Sequence, residues 1–273
     1  MQTPRRAANQ GLDRGIEVKR FAVESQPLVS VIMPCYNTER YIAQSIESIL
    51  SQTYKNWELI ITDGPSSDNT PSIIRRYCEQ DKRIYLIIPN QHQGIAEARH
   101  TSIQNSHGRF LAFLDSDDIW VNDKLEKQVA FMLQNGFAFT YGNYEIIGMD
   151  GKPIGKVIRN GGIVDYHKYL KNTILGCGSV MVDKERIGEI LQPSDSVNDD
   201  MGLWCSILRN GIKAYPINDV LYYYRIRDNG ASSHRFKMMK SVWNVYRQQE
   251  KMTIYDAFCC FASYAFNAIK KRL

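Results

Sequence analysis

The chain has 273 residues, 44% hydrophobic and 23% charged, which supplies a sizeable core and excludes a disordered or fibrous protein. The net charge of +5 is mild, and no basic stripe runs interleaved with aromatics, which argues against a nucleic-acid partner. Six cysteines without Cys-x-x-Cys spacing imply neither a zinc site nor a disulfide framework; several lie in apolar runs, where a thiol packs as a small hydrophobe. Residues 1–26 are polar and Arg-rich with no apolar signal region, so they read as a flexible leader on a cytoplasmic, reduced protein.

From Pro27 the elements alternate. Strand-like Leu28–Met33 precedes a helical pattern over Tyr41–Ser51, and Trp57–Thr62 precedes a helix over Thr70–Glu79. Ile84–Ile88 precedes a helix over Ala96–Asn105, and Phe110–Leu114 precedes one over Asp123–Asn135. Strand–helix alternation of this kind predicts an α/β fold, a mostly parallel Rossmann-like sheet flanked by helices. After Phe137 the pattern predicts shorter strands punctuated by glycines, then a strand over Ser179–Val182, a helix after Asp200 and a strand over Leu221–Tyr224.

Ligands of open α/β sheets lie beyond the carboxyl ends of the strands. Those ends read Pro34-Cys35-Tyr36-Asn37, Asp63-Gly64, Pro89-Asn90 and Asp115-Ser116-Asp117. An aromatic there can stack on a base, and a carboxylate can accept from ribose hydroxyls or a base N–H. The apolar run Phe110–Leu114 ends in Asp115, Asp117 and Asp118, carboxylates that repel unless a cation or donors sit among them. Oxygen ligands of this type suit Mg²⁺ or Mn²⁺, and those ions suit a diphosphate.

Five ordered segments make the pattern specific: 31–39 (VIMPCYNTE), 62–70 (TDGPSSDNT), 94–99 (GIAEAR), 113–118 (FLDSDD) and 198–204 (NDDMGLW). On these the chain resembles the family 2 glycosyltransferases, which have the GT-A fold, from about Pro27 to its end. Segment 175–183 and the tail from Tyr222 look like bacterial transferases of teichuronic acid, exopolysaccharide or O-antigen synthesis.

The resemblance implies an inverting, metal-dependent hexosyltransferase acting on a nucleotide sugar, with UDP as the nucleotide, and on a lipid-linked glycan acceptor. It implies that Tyr36 stacks on the base and Asp63 hydrogen-bonds it, with Pro34, Asn37 and Gly94 in the same pocket. Glu39 and Arg99 would hold the nucleotide and its diphosphate, Asp115 the ribose, and Asp117 the Mn²⁺ or Mg²⁺. Asp200, second of the Asp199-Asp200 pair, falls at the family's catalytic base. Two positions depart from the family pattern. Gly64 stands where many relatives carry a second Asp, and Arg227 stands where many carry a His two residues after Arg225. An arginine there can neutralise a diphosphate but cannot ligate a metal.

The domain boundaries are expected at 27–235 for the glycosyltransferase domain and 236–273 for a C-terminal helical appendage. Within the appendage, Ile254, Phe258, Phe261 and Ala265 fall on one helical stripe, shorter than a bilayer span and followed by Lys270, Lys271 and Arg272. A core or dimer helix and a peripheral helix at the inner face of the cell membrane both fit that pattern. Two other function classes are a catalytically silent nucleotide-sugar-binding subunit of a polysaccharide assembly complex, and a phosphatase using Asp115 as nucleophile. The intact Asp117 and Asp200 oppose the first. The place of Asp-x-Asp after the fourth strand rather than the first opposes the second. None of the five histidines has metal-ligand spacing, and His234 reads as a surface residue.

Overall fold

The structure, a computed structural model, describes residues 26–159, 161–188, 199–227 and 235–270. The expected leader lies outside them but for Gln26, as do His234, Lys271, Arg272 and the side chains of Asp199, Ile269 and Lys270.

The first half alternates as its apolar runs predict. It comprises β1 (Val29–Cys35), α1 (Ile42–Leu50), β2 (Trp57–Asp63), α2 (Thr70–Gln80), β3 (Ile84–Ile87), α3 (Ile95–Gln104) and β4 (Phe110–Phe113). Then come β5 (Ile119–Trp120) and α4 (Lys124–Asn135), which ends on Gly136 in the left-handed region at φ 68°. The second half holds β6 (Phe139–Ile147), β7 (Pro153–Ile158), α5 (Tyr166–Lys171), β8 (Met181–Asp183), α6 (Lys184–Ile187) and α7 (Asp199–Leu208). It closes with β9 (Tyr215–Arg225), α8 (Arg235–Asn244), a single wide turn over Val245–Gln249 and α9 (Ile254–Lys270).

One sheet carries all nine strands in the order β3-β2-β1-β4-β8-β6-β9-β5, with β7 on β6. Pairs β1–β2, β1–β4, β2–β3 and β6–β9 are parallel. Because β8 is antiparallel to both β4 and β6, strands β6 and β9 point the same way as β1. The carboxyl ends of β1, β2, β4 and β9 therefore meet at one rim. Every residue of β1, β2 and β4 is buried, the signature of strands covered on both faces. Alternation sends Val29, Val31, Met33, Phe110 and Ala112 to the face under α1 and α4. Ile32, Leu111 and Phe113 go to the other face, with Trp204 of α7 and with Val242, Tyr246, Ala257 and Tyr264 of the C-terminal helices. The helices after residue 235 thus share a core with the sheet.

The second half departs from the expected short strands: β6 has nine residues and β9 eleven. Their pairing shifts register at Gly142/Asn143 and Asn143/Tyr144, which breaks the two-residue period that marks a strand in sequence. A Cβ at Gly142 would run into the Leu221 side chain, so the glycine belongs to strand packing rather than to a turn. The strand expected from Ser179 begins at Met181 because Cys177–Ser179 form a tight 3₁₀ turn. Strand β5 and helices α5 and α6 are too short to carry a period, and β7 is exposed over its first four residues, so no buried face marks it.

Candidate active site

Tyr36 and Asn37 follow β1 directly, and Asn37 takes φ 51°, a left-handed backbone that asparagine tolerates. That turn is stapled to the loop after β2. Asn37 N–H donates to Ser66 Oγ (2.8 Å), Ser67 N–H to Asn37 Oδ1 (2.8 Å), and Asn69 N–H to Glu39 Oε2 (2.9 Å). These atoms of Asn37 and Glu39 position the loop. Tyr36 is 45% exposed and meets His92 edge-on with ring centroids 4.8 Å apart, leaving a ring face for a ligand. Asp63 is fully buried and accepts from the Ser66 hydroxyl and, at 3.2 Å, from Ser66 N–H. Gly64 has a reason of its own. A Cβ there would come within 2.7 Å of the Gln93 carbonyl oxygen, so a bulkier residue would push the His92 loop outward. Gly94 caps the start of α3 with open space where a Cβ would stand.

Arg99 sits on α3 and is 1% exposed, an unusual place for a guanidinium. Its Nη2 donates to Asp115 Oδ1 (2.8 Å) and its Nη1 to Asp200 Oδ1 (2.7 Å). Asp115 and Asp200 are each about one-third exposed, at 34% and 35%. The end of β4 and the first turn of α7 are therefore clamped on one side chain, although 85 residues of sequence separate them. Both terminal nitrogens of Arg99, the residue expected at the nucleotide and its diphosphate, carry carboxylates in this structure.

Asp118 and Arg225 hold the acidic loop in place. Arg225 N–H donates to Asp118 Oδ1 (2.8 Å) and Arg225 Nε to the Asp117 carbonyl (2.7 Å). Its Nη2 reaches Gln44 of α1 (2.7 Å) and its Nη1 the Met149 carbonyl (3.0 Å). Arg227 Nε pairs with Asp117 Oδ2 at 2.7 Å. Burial raises the Asp117 carboxyl above its ordinary value, with Arg227 pulling against that and Asp115 adding to it. Burial, joined by the charges of Asp117 and Asp115, drives Asp118 well above the usual carboxylate range. Asp115 is thus met by the Arg99 guanidinium, Asp117 by that of Arg227, and Asp118 by the Arg225 backbone N–H. Arg225 was not among the candidates read from sequence, nor was His92. A lone arginine at a strand end and a histidine in a loop give no pattern.

Among the described residues no three His, Cys, Asp or Glu side chains converge to hold a metal. A divalent cation that keeps water and takes diphosphate oxygens needs only one or two protein carboxylates. Asp117 fits that lesser demand, since only its Oδ2 is engaged by Arg227.

An aromatic, buried carboxylates and arginines thus gather beyond the carboxyl ends of the parallel strands, where open α/β folds place their ligands. The sequence model of Glycosyl transferase family 2 matches residues 30–186, more than half of the chain. A Bacillus subtilis (strain 168) protein named as the teichuronic acid biosynthesis glycosyltransferase TuaG is 42% identical over 248 residues, covering 91% of this chain and 98% of that one. WfgD of Escherichia coli, named UDP-Glc:alpha-D-GlcNAc-diphosphoundecaprenol beta-1,3-glucosyltransferase, is 43% identical over 219 residues, 80% of this chain and 85% of that one. Among solved structures, the mannosyltransferase PcManGT of Pyrobaculum calidifontis, in complex with GDP-Man and Mn²⁺, superposes with a TM-score of 0.65 at 19% identity, over 91% of this chain and 72% of that one. S. aureus TarS 1-349 with UDP-GlcNAc gives a TM-score of 0.64 at 17% identity, over 82% and 67%. The chain belongs to glycosyl transferase family 2, and its fold is GT-A.

Proposed function

We propose that this protein is an inverting hexosyltransferase that moves a sugar from a UDP-sugar to a hydroxyl of a lipid-linked glycan during cell-surface polysaccharide synthesis. The observation that carries the reading is Arg99, whose guanidinium spans Asp115 and Asp200 at 2.8 and 2.7 Å. One side chain thus holds both Asp115, which we assign to the donor ribose, and Asp200, which we assign to the acceptor proton. The names of TuaG and WfgD support the pathway and the diphosphoundecaprenol-linked acceptor, and the UDP-GlcNAc complex of TarS supports the donor class.

In this mechanism the base of the donor lies on Tyr36, near Asp63, and its ribose hydroxyls donate to Asp115. Asp200 accepts the proton of the acceptor hydroxyl as that oxygen attacks the anomeric carbon. The nucleotide leaves from the opposite side, so the configuration inverts, and alignment of the two reactants supplies much of the rate. Bound at Asp117, Mg²⁺ or Mn²⁺ would neutralise charge growing on the departing diphosphate. Arg225 keeps the acidic loop fixed while this happens. The family match opposes a phosphatase using Asp115, and a silent subunit would bind donor without turnover. The test is nucleotide release from a panel of UDP-sugars with Mn²⁺ and undecaprenyl-diphosphate-linked acceptors. Turnover requiring both substrates supports the reading; UDP binding with no turnover on any acceptor favours the silent subunit.

Contact with the inner face of the membrane belongs to the same proposal. No helix among the described residues is long and apolar enough to cross a membrane. Helix α9 has two faces: Ala257, Cys260 and Tyr264 are buried in the core, while Ile254, Tyr255, Phe258 and Phe266 are exposed. Phe261, read on one stripe with Ile254 and Phe258, packs edge-on to Trp243 with centroids 5.7 Å apart. The outer face can bury in a lipid interface, and the Lys270-Lys271-Arg272 run adds attraction to anionic lipid of about 1 kcal/mol per charge. Flotation with anionic liposomes checks this with Phe258→Asp/Phe266→Asp, which leaves the buried face intact. Loss of flotation is expected, and equal flotation of parent and variant overturns the membrane contact.

A further inference from the structure

Arg227 is the one side chain found in an ion pair with Asp117 among the described residues, and it holds Oδ2 at 2.7 Å. The arrangement differs from the other arginine contacts of the rim. Arg227 is 33% exposed, and Asp117 15%. The loop does not need this contact to keep its shape. The Asp117 carbonyl is held by Arg225 Nε, the Asp118 carboxyl by Arg225 N–H, and the Asp118 carbonyl by the Ser45 hydroxyl at 2.7 Å. Arg227 also lies over the Tyr41 ring, 6.0 Å from its centroid, beside Arg225 at 4.9 Å, so an apolar resting surface is within reach of its side chain.

We propose that Arg227 is a guard on the Asp117 carboxylate. It occupies that carboxylate while the site is empty, excludes a free divalent cation, and yields when a diphosphate arrives to take the guanidinium. This rests on the donor and metal reading given above. The physics is competition between cations for one oxygen pair. A bare ion must displace the guanidinium and leaves it only the Tyr41 ring to rest on, whereas an ion arriving with a diphosphate brings an anion that the guanidinium can bind bidentately. Metal and nucleotide therefore bind with strong mutual help, and neither binds well alone. By linkage each raises the affinity of the other by the same factor.

The test is Mn²⁺ binding to the full-length protein, followed by electron paramagnetic resonance, with and without UDP, in the parent, Arg227→Met and Arg227→Met/Asp117→Asn. Calorimetry of UDP with and without Mn²⁺ runs alongside, and thermal melting checks that each variant folds. The parent is expected to bind Mn²⁺ weakly alone and far more tightly with UDP. Arg227→Met should bind Mn²⁺ alone about two- to fivefold more tightly, the scale of a part-exposed charge pair. Its gain from UDP should shrink, and the double variant should lose the tight site. Arg227→Met binding Mn²⁺ no better than the parent, with the same gain from UDP, overturns the guard. Tight Mn²⁺ binding by the parent without UDP overturns it too. In both cases UDP binding by the parent leaves the donor reading standing, whereas absence of UDP binding in every protein and condition removes the donor reading itself.

Discussion

Two arginines close the two ends of the acidic rim in opposite ways. Arg99 is buried to 1% and spends both terminal nitrogens on carboxylates from β4 and α7. Arg227 is one-third exposed and holds a single carboxylate from the side, on a loop that Arg225 already secures. A guanidinium that is dry and doubly bonded behaves as part of the scaffold, since releasing it leaves charge stranded away from water. One that is wet and singly bonded can be exchanged for a ligand at small cost. The same chemical pair thus serves as a strut at one end of the site and as a replaceable contact at the other.

The largest effect that sharpens this contrast lies at the carboxylate on the strut. Asp200→Asn should leave UDP affinity nearly unchanged and cut transfer at least about a hundredfold, the usual contribution of a general base. Asp199→Asn is the control. If that variant loses activity while Asp200→Asn retains it, the two roles are exchanged. Next comes the strut. Arg99→Met should lose about 2–3 kcal/mol of stability in chemical denaturation, from two charge-assisted hydrogen bonds, and should weaken UDP binding and turnover together because both carboxylates lose their anchor. Loss of stability with unchanged UDP affinity and turnover would make Arg99 purely structural and break the comparison.

A smaller effect comes from a carboxylate outside the site. Glu58 is buried on β2, accepting from the Ser30 hydroxyl and from His107 N–H at 2.7 Å. Burial raises its pKa, yet these hydrogen bonds outweigh that and hold it below the usual glutamate value. A lowered folded-state value means stability that is fully present above the unfolded pKa of about 4.3 and is lost as pH falls through the folded value. Glu58→Gln should therefore cost on the order of 1–2 kcal/mol near neutral pH. The gap from the parent should close below about pH 4, with UDP binding unaffected at neutral pH. A gap that is constant with pH would mean that packing, not charge, is lost.

The parts legible in sequence share one property: their signal is local. Strands β1, β2 and β4 are unbroken apolar runs because both faces are covered, and their ends name Tyr36, Asp63, Asp115 and Asp117. Asp200 was reachable only through the ordered family motifs, since nothing near residue 200 tells that its carboxylate will meet Arg99. The illegible parts depend on distant partners. The lengths of β6 and β9 are set by their pairing with each other through two register shifts, and the role of Arg225 is set by a loop more than a hundred residues earlier. The single stripe read on α9 splits at Phe261, because Trp243 and not helical period decides where that ring goes.

The grip of Arg225 on the acidic loop also sets an order of assembly. Asp115, Asp117 and Asp118 leave the ribosome early, but the Asp118 carboxyl receives its donor 107 residues later and the Asp117 carbonyl 108 residues later. A contact of that sequence separation closes late, because a long loop must be ordered before it forms. A nascent chain stopped before β9 carries the Arg99 donor for Asp115 and the Ser45 donor for the Asp118 carbonyl, but lacks both Arg225 donors. Those two contacts form only when β9 docks, so the loop takes its final shape with that strand.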